Sequence, residues 1–325
     1  MPVVNNTRSL IAGIQDHLKE TWRQSVPVFR KQQELLVRFL PNSNIRNAQW
    51  VWKESVPFPS RWDYGKSRQY KLFKDRYISV GKYNFELSIP WSRFDEEDDQ
   101  LDDLRPHVEA AVKRYAQLPD VMISEYFIGT ASLNPAILNA YDGVGLFSTV
   151  DGDGANRFGV SSGNILSGYP LTVADVVHGV MAAQRQWMKM LDPTALKPIF
   201  TPDDVSLKNI TVIGPPEANE VFLKAAESEY LRTDPTNTVS ESNVLKGTFA
   251  WETNPYLTDA SDWYAVLKHP YWKPFVYREP SKVESIIADI NNSDRSRETG
   301  EYSLQTMVRT ALAVWMPLTI IKFNN

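Results

Sequence analysis

Residues 50–94 read WVWKESVPFPSRWDYGKSRQYKLFKDRYISVGKYNFELSIPWSRF, and this stretch decides the fold. From Trp50 to Trp91 its aromatics are Trp50, Trp52, Phe58, Trp62, Tyr64, Tyr70, Phe73, Tyr77, Tyr83, Phe85 and Trp91, interleaved with charge. From Lys82 onward the alternation is clean. Tyr83, Phe85, Leu87 and Ile89 alternate with Asn84, Glu86 and Ser88, the period of a half-buried strand. A turn is expected at Asp63-Tyr64-Gly65-Lys66, where glycine supplies the backbone angles a tight turn needs. The stretch therefore predicts a long two-stranded hairpin. An isolated hairpin is marginal in water, so one this long and this apolar must lie on something. We take that surface to be another copy of the same chain.

Charge supports an extension that meets a body. Residues 1–94 hold 16 Lys+Arg and 7 Asp+Glu, a net of +9, while residues 95–325 hold 19 and 32, a net of −13. Basic extensions packing on acidic neighbours, or approaching nucleic acid, fit this split. The chain as a whole is not basic, which argues against free DNA binding.

The rest of the 325 residues bounds the class. With 42% hydrophobic residues there is ample material for a core, and 23% charged is ordinary for a globular chain. There are no cysteines, which excludes disulfides, thiolate zinc sites and a thiol nucleophile. The segment from Met1 to Gly13 lacks the apolar core, roughly 7–15 residues long, of a signal peptide. No apolar run approaches the ~18 residues of a membrane span. His17, His107, His178 and His269 are scattered, and none has metal-ligand spacing to another.

Outward from the hairpin, residues 1–46 show short helical spacings (Leu10, Ile14, His17, Leu18; then Phe29, Leu35, Leu36, Phe39) broken at Pro27 and Pro41. They read as an arm with no core of its own. After the hairpin comes an acidic run, Asp95 to Asp99 with Asp102 and Asp103. It favours the positive end of the helix that follows and does not converge on a point as a cation site must. Leu101, Leu104, Val108, Val112 and Tyr115 form one helical stripe, a helix over 98–118 that Pro119 should end or kink, with a second stretch to about Ala140. Asp151-Gly152-Asp153-Gly154 resembles the start of a calcium loop but has Ala155 and Ser162 where ligands belong. It is expected to be a surface turn.

Further along, Thr172 and Asp175 form a capping-box-like start to a helix ending near Met190, with Val173, Val176, Val177 and Val180 inward. An apolar strand is expected at Ile210–Ile213, then a helix from Pro215-Pro216 to about Leu231. Strands are expected at Gly247–Trp251, Trp263–Leu267 and Phe275–Arg278, and over Ala311–Phe323 with a break at Pro317. Residues 232–243 and 290–300 read as loops. No Gly-x-Ser-x-Gly, P-loop, Gly-x-Gly-x-x-Gly or His-Glu-x-x-His occurs. Periodicity alone thus gives an α+β protein with long extensions, and structural or binding function as the default.

Several blocks carry a resemblance. They are Trp52, Phe58-Pro59, Trp62, Tyr77-Ile78-Ser79-Val80, Asn84-Phe85-Glu86, and Ile89 with Ser92-Arg93-Phe94. Next is Asn139-Ala140-Tyr141-Asp142-Gly143 with Leu146-Phe147, and then Trp263-Tyr264, Lys273-Pro274-Phe275-Val276-Tyr277 and the closing strand Pro317–Phe323. At these residues the chain resembles the major head (capsid) proteins of tailed bacteriophages, specifically the Mu-like major head subunit family, over about residues 45–325. The resemblance implies an HK97-like fold. Its parts would be an N-terminal arm (1–46), an extended loop (47–94), a peripheral domain (95–199) with spine helix 98–118, an axial domain (200–270), and a return to the peripheral domain (271–325).

It implies a shell protein, not an enzyme, that self-assembles into hexamers and pentamers of an icosahedral head around double-stranded DNA. No cofactor or metal is implied. Partners would be further copies of the chain, decoration, scaffold and portal proteins, and DNA held non-specifically; no membrane is involved. The location would be the virion, with the host cytoplasm during assembly. Inter-subunit contact is expected from Trp62, Tyr64, Lys66, Arg68, Tyr70, Lys71, Phe73 and Lys74. No covalent crosslink is expected from Lys66, Lys71, Lys74 or Lys82, because nothing singles out the buried carboxylate such chemistry needs. The alternatives are an encapsulin-like nanocompartment shell of the same fold and an α+β enzyme with an unrecognised site.

Overall fold

The computed structural model describes residues 30–40, 47–53, 59, 61–68, 75–92, 104–130, 132–133, 139–192, 197–232, 240–278, 284–288 and 293–324. In chain order the elements are α1 (Arg30–Leu36), β1 (Val37–Leu40), β2 (Asn47–Lys53), β3 (Asp75–Gly81), β4 (Tyr83–Ser92), α2 (Leu104–Ile128), β5 (Ile165–Ser167) and α3 (Val173–Lys189). They continue with β6 (Ile210–Gly214), α4 (Asn219–Glu227), β7 (Tyr230–Arg232), β8 (Ser240–Ser242), β9 (Ala250–Thr253), β10 (Trp263–Leu267), β11 (Phe275–Arg278), β12 (Glu284–Ala288), α5 (Asp294–Thr299), β13 (Glu301–Val314) and β14 (Ile320–Asn324).

Two five-stranded sheets organise these elements. The first is built on the 14-residue β13. Along one edge β13 pairs antiparallel with β4 from Glu301↔Ser92 to Thr310↔Tyr83. Along the other it pairs with β12 and then β11, and β1 adds parallel to β11. The alternation read at 82–89 is borne out, with Tyr83, Phe85, Leu87 and Ile89 half-buried and Asn84, Glu86 and Ser88 exposed. Its partner, however, is β13 in the body, so the hairpin proper is β2–β3, paired from Asn47↔Gly81 to Lys53↔Asp75. Lys82 separates β3 from β4, and β4 leaves the hairpin because β13 offers ten consecutive rungs whose inner face, Tyr302, Leu304, Thr306 and Val308, is buried.

Helix α2 covers that sheet. Tyr115 Oη donates to Thr306 O at 2.9 Å, and Thr306 Oγ1 donates to Leu87 O at 2.8 Å. The expected stop at Pro119 does not occur; the helix runs through it to Ile128. Pro119 forfeits one backbone bond, but Leu118, Met122, Ile123, Tyr126 and Phe127 are all buried beyond or beside it. Their burial holds the helix continuous. The second stretch expected to Ala140 ends at Ile128, where the N–H groups of Gly129 and Thr130 both return to Glu125 O. Residues 98–103 and the acidic run lie outside the described residues.

The second sheet has the order β5-β14-β10-β6-β9. Its inner strands β6 and β10 read as continuous apolar runs because both of their faces are covered. Trp263, Ala265 and Leu267 of β10 face one core with α3 and α4, while Tyr264 and Val266 face another with the C-terminal half of α2 and β11. Helix α3 spans its expected residues, with Thr172 Oγ1 accepting from Asp175 N and Val176, Val177 and Val180 fully buried. Gly179 lets α3 approach: a Cβ there would stand 2.6 Å from Trp263, which stacks on Phe323 at 3.7 Å. Strands from 165–167 and 320–324, which the sequence reading assigns elsewhere, complete this sheet. The segment 200–270 is therefore not a closed unit.

Four local expectations need correction. Phe39 lies in β1, not a helix, because pairing with β11 outweighs helical spacing. The helix after Pro215 ends at Glu227 rather than Leu231, where Asn243 Nδ2 donates to Ala225 O and Ser228 O and β7 begins. The strand expected at 247–251 is Ala250–Thr253, parallel to β6. Within 290–300, Ser293 caps the short helix α5. The break at Pro317 occurs as expected, as a single 3-10 turn between β13 and β14.

Candidate inter-subunit surface

The hairpin has a root and a tip with opposite characters. At the root, Ile78 and Val80 of β3 belong to the main core. Trp50 of β2 packs edge-on against Trp315 at 5.8 Å, and the Arg38 guanidinium lies 5.0 Å from one of these rings and 5.2 Å from the other. The buried Arg278 donates from Nη1 to Val80 O at 2.8 Å. The root is thus built on its own subunit, which corrects the expectation that the whole hairpin stands away from the body. The apolar face of β3 finds its cover in Trp315, Met316 and the end of β13.

The tip, residues 61–68, is exposed throughout. The expected turn is present, with Lys66 N–H donating to Asp63 O at 3.2 Å and Gly65 at φ +88°, a position a type II turn reserves for glycine. Trp62 Nε1 closes the loop on Lys66 O at 2.7 Å. Tyr64 sits edge-on to Trp62 at 6.4 Å, and the Arg68 guanidinium lies 5.5 Å from the Trp62 ring, within cation–π range. Arg61 and Lys66 share Asp63, each at 3.2 Å. Among the described residues every one of these contacts is internal to the tip. Yet Tyr64 is 97% and Trp62 50% exposed. The structure thus gathers Trp62, Tyr64, Lys66 and Arg68 into one preformed aromatic and cationic knob. Tyr70, Lys71, Phe73 and Lys74 lie outside the described residues.

Sequence reading missed the polar knot beneath the Tyr141-Asp142-Gly143 block. Arg157, 1% exposed, pairs bidentately with Asp142, from Nε at 2.7 Å and Nη2 at 3.1 Å. Its Nη1 donates to Leu146 O at 3.0 Å. Asn164 Nδ2 donates to Leu146 O, Pro317 O and Ile320 O, and its Oδ1 accepts from Ser148 N. The knot ties the 139–164 region to the turn between β13 and β14. The one available signal was a lone arginine among turn residues.

A cleft of about 460 Å³ opens between β3, residues 139–143 and the end of β13. It brings together Asp75, Arg76, Ser79 and Asn139, with Arg76 over the Tyr141 ring at 5.5 Å. Asp151 Oδ1 accepts from Asp153 N and Ala155 N, closing the surface turn expected there. Among the described residues no group of three or more His, Asp or Glu could hold a metal. None of the described helices is long and apolar enough to cross a membrane.

No family model matches the chain, and no curated protein matches it in sequence. Solved structures do. The capsid of an empty GTA particle aligns with TM-score 0.55 at 9% identity, covering 90% of this chain and 88% of that one. The capsid of Myoviridae phage XM1 aligns at 0.54 with 11% identity, covering 92% and 91%. The capsid of cyanophage P-SCSP1u aligns at 0.53 with 8% identity, covering 90% and 86%. The chain therefore has the α+β, HK97-like fold of phage capsid subunits.

Proposed function

We propose that this chain is the major capsid protein of a tailed bacteriophage, of the Mu-like kind its sequence blocks resemble. In this reading it assembles into the hexamers and pentamers of an icosahedral head around double-stranded DNA. Its role is structural and not enzymatic. The observation that carries the proposal is the match of about nine-tenths of the chain to capsid subunits over nearly their full length. In this reading α2 is the spine helix, and the knob at 61–68 lies on a neighbouring copy. Decoration, scaffold and portal proteins and packaged DNA are the partners it brings.

The knob suits an interface. An aromatic side chain carries roughly 150–250 Å². Covering the exposed parts of Trp62 and Tyr64 contributes on the order of 5 kcal/mol, at about 25 cal/mol per Å². Its own contacts fix its shape beforehand, which lowers the ordering cost of association. Single exposed charge pairs contribute only ~0–1 kcal/mol, but several together set the rate and register of association.

Electron microscopy of the purified protein tests the assembly; only monomers or small oligomers under all assembly conditions would overturn the reading. A second test reverses Lys66, Arg68, Lys71 and Lys74 together to Glu. Shell formation is expected to slow or fail while the subunit keeps its circular dichroism spectrum. Normal shells across salt concentrations would remove the electrostatic role of the tip. We also expect no covalent crosslink between subunits, so mature particles on a denaturing gel should run as one band near 37.1 kDa. A ladder of multimers would contradict this.

A further inference from the structure

Two neighbouring segments carry the chain between its two sheets, and one of them is closed by a histidine. Residues 268–274 lead from β10 to β11, and residues 315–319 lead from β13 to β14. The crossings are laced together: Trp315 N–H donates to Pro274 O at 2.6 Å and Met316 N–H to Lys273 O at 3.2 Å. In the first crossing, His269 Nδ1 accepts the backbone N–H of Tyr271 at 3.3 Å and of Trp272 at 3.1 Å. The ring stacks on Trp272 at 4.6 Å and meets the edge of Phe200 at 6.1 Å. His269 is buried, whereas Tyr271 on the outside of the same turn is 72% exposed.

A ring nitrogen that accepts two N–H groups carries no proton of its own. Protonation would place an N–H donor against two other donors, and the turn would lose both closing bonds. Two charged groups act on the ring. Asp204, from the 201–206 turn, favours the imidazolium; Lys273, on the crossing itself, opposes it. Burial is the largest influence and holds the ring's pKa below the ordinary histidine value. Asp204 is held in place because its Oδ2 accepts from Thr201 N at 2.9 Å and Thr201 Oγ1 at 2.6 Å. The neutral ring thus closes the backbone turn, while the field of the Asp204 carboxylate favours the charged ring.

We propose that His269 is a proton-operated latch on the crossing from β10 to β11, closing the 269–272 turn when neutral and releasing it when protonated, a state the Asp204 carboxylate favours. Release frees the Tyr271 and Trp272 amides and loosens the lacing to residues 315 and 316.

The test is hydrogen–deuterium exchange of the full chain, read on 268–274 between about pH 8 and about pH 5, with intrinsic exchange rates corrected from an unstructured peptide. Protection in the natural protein is expected to fall about tenfold or more across this range, two net hydrogen bonds being lost. In His269→Asn the side-chain oxygen stands where Nδ1 stands, accepts the same amides and does not titrate. Its protection should stay flat. His269→Phe keeps the ring stack without the acceptor and should be unprotected at every pH. Asp204→Asn should leave the turn closed at about pH 8 and move its release to lower pH. Flat protection in the natural protein, an equal fall in His269→Asn, or full protection in His269→Phe would each overturn the proposal. If His269→Asn and His269→Phe do not fold, the Asp204→Asn shift decides it: no movement of the release point refutes the latch.

Discussion

Asp142→Ala is expected to destabilise the protein by about 3–5 kcal/mol, because it leaves the Arg157 guanidinium buried and uncompensated. The pairing is close, 2.7 Å at its shorter contact, with Arg157 1% and Asp142 11% exposed at the side chain. The effect should reach beyond the pair, since the same arginine holds Leu146 O and Asn164 ties that carbonyl to Pro317 and Ile320. Urea denaturation should show a lower midpoint with little change in slope. Adding Arg157→Met to Asp142→Ala should recover most of the loss, as replacing both members of a buried pair with apolar groups often does. A double variant no more stable than the single one would mean that the hydrogen bonds to Leu146 and Asn164, and not the charge pair, carry the cost.

Asp120→Asn is expected to have the opposite sign. Asp120 Oδ1 accepts from Gln33 Nε2 of α1 at 2.8 Å, while Oδ2 is buried with no hydrogen-bond partner among the described residues. Burial, the larger influence, raises the carboxyl from 3.8 to about 6, and the Gln33 hydrogen bond only partly opposes it. A folded-state pKa above the unfolded value means that the folded state binds the proton more tightly. The acid therefore costs nothing at low pH, and its penalty grows as pH rises from about 4 to about 6 and is complete above that. Asparagine mimics the protonated acid and keeps the bond to Gln33. At neutral pH the variant should be more stable by on the order of 3 kcal/mol. The two proteins should converge near pH 4. Denaturation midpoints measured at both pH values check this, and an equal difference at both would show that the carboxyl does not titrate as described.

Local periodicity carried the elements whose burial is one-sided or complete over a run. Strand β4 alternates because α2 covers one of its faces, and β10 reads as five apolar residues because both of its faces are covered. The tip turn was legible because Gly65 must take a positive φ there. What was not legible depended on partners far along the chain. The change of β4 from hairpin arm to body strand needs β13, more than two hundred residues away. The passage of α2 through Pro119 needs β10 and β11 to bury Met122, Tyr126 and Phe127. Arg157 pairs with an aspartate 15 residues distant across two turns, with no spacing that announces it. Helix α5 is six polar residues with a serine cap, too short for a periodic signal. The knob's residues were named from the sequence as contact candidates, but its preformed shape rests on the Trp62 and Arg68 contacts, which composition does not encode.

Strand β13 has a mechanical consequence. One continuous strand is flanked by β4 along ten rungs and by β11 along four, then passes through a single turn into β14, between β5 and β10 of the other sheet. A load entering along its axis is met in shear, with all rungs resisting together, and not by peeling them one after another. The same load applied across the strand, at β12, meets only the five rungs of that edge. The subunit is therefore stiff in one direction and yielding in another, and tension carried along β13 reaches the other sheet through the turn at residues 315–319, beside the second crossing at 268–274.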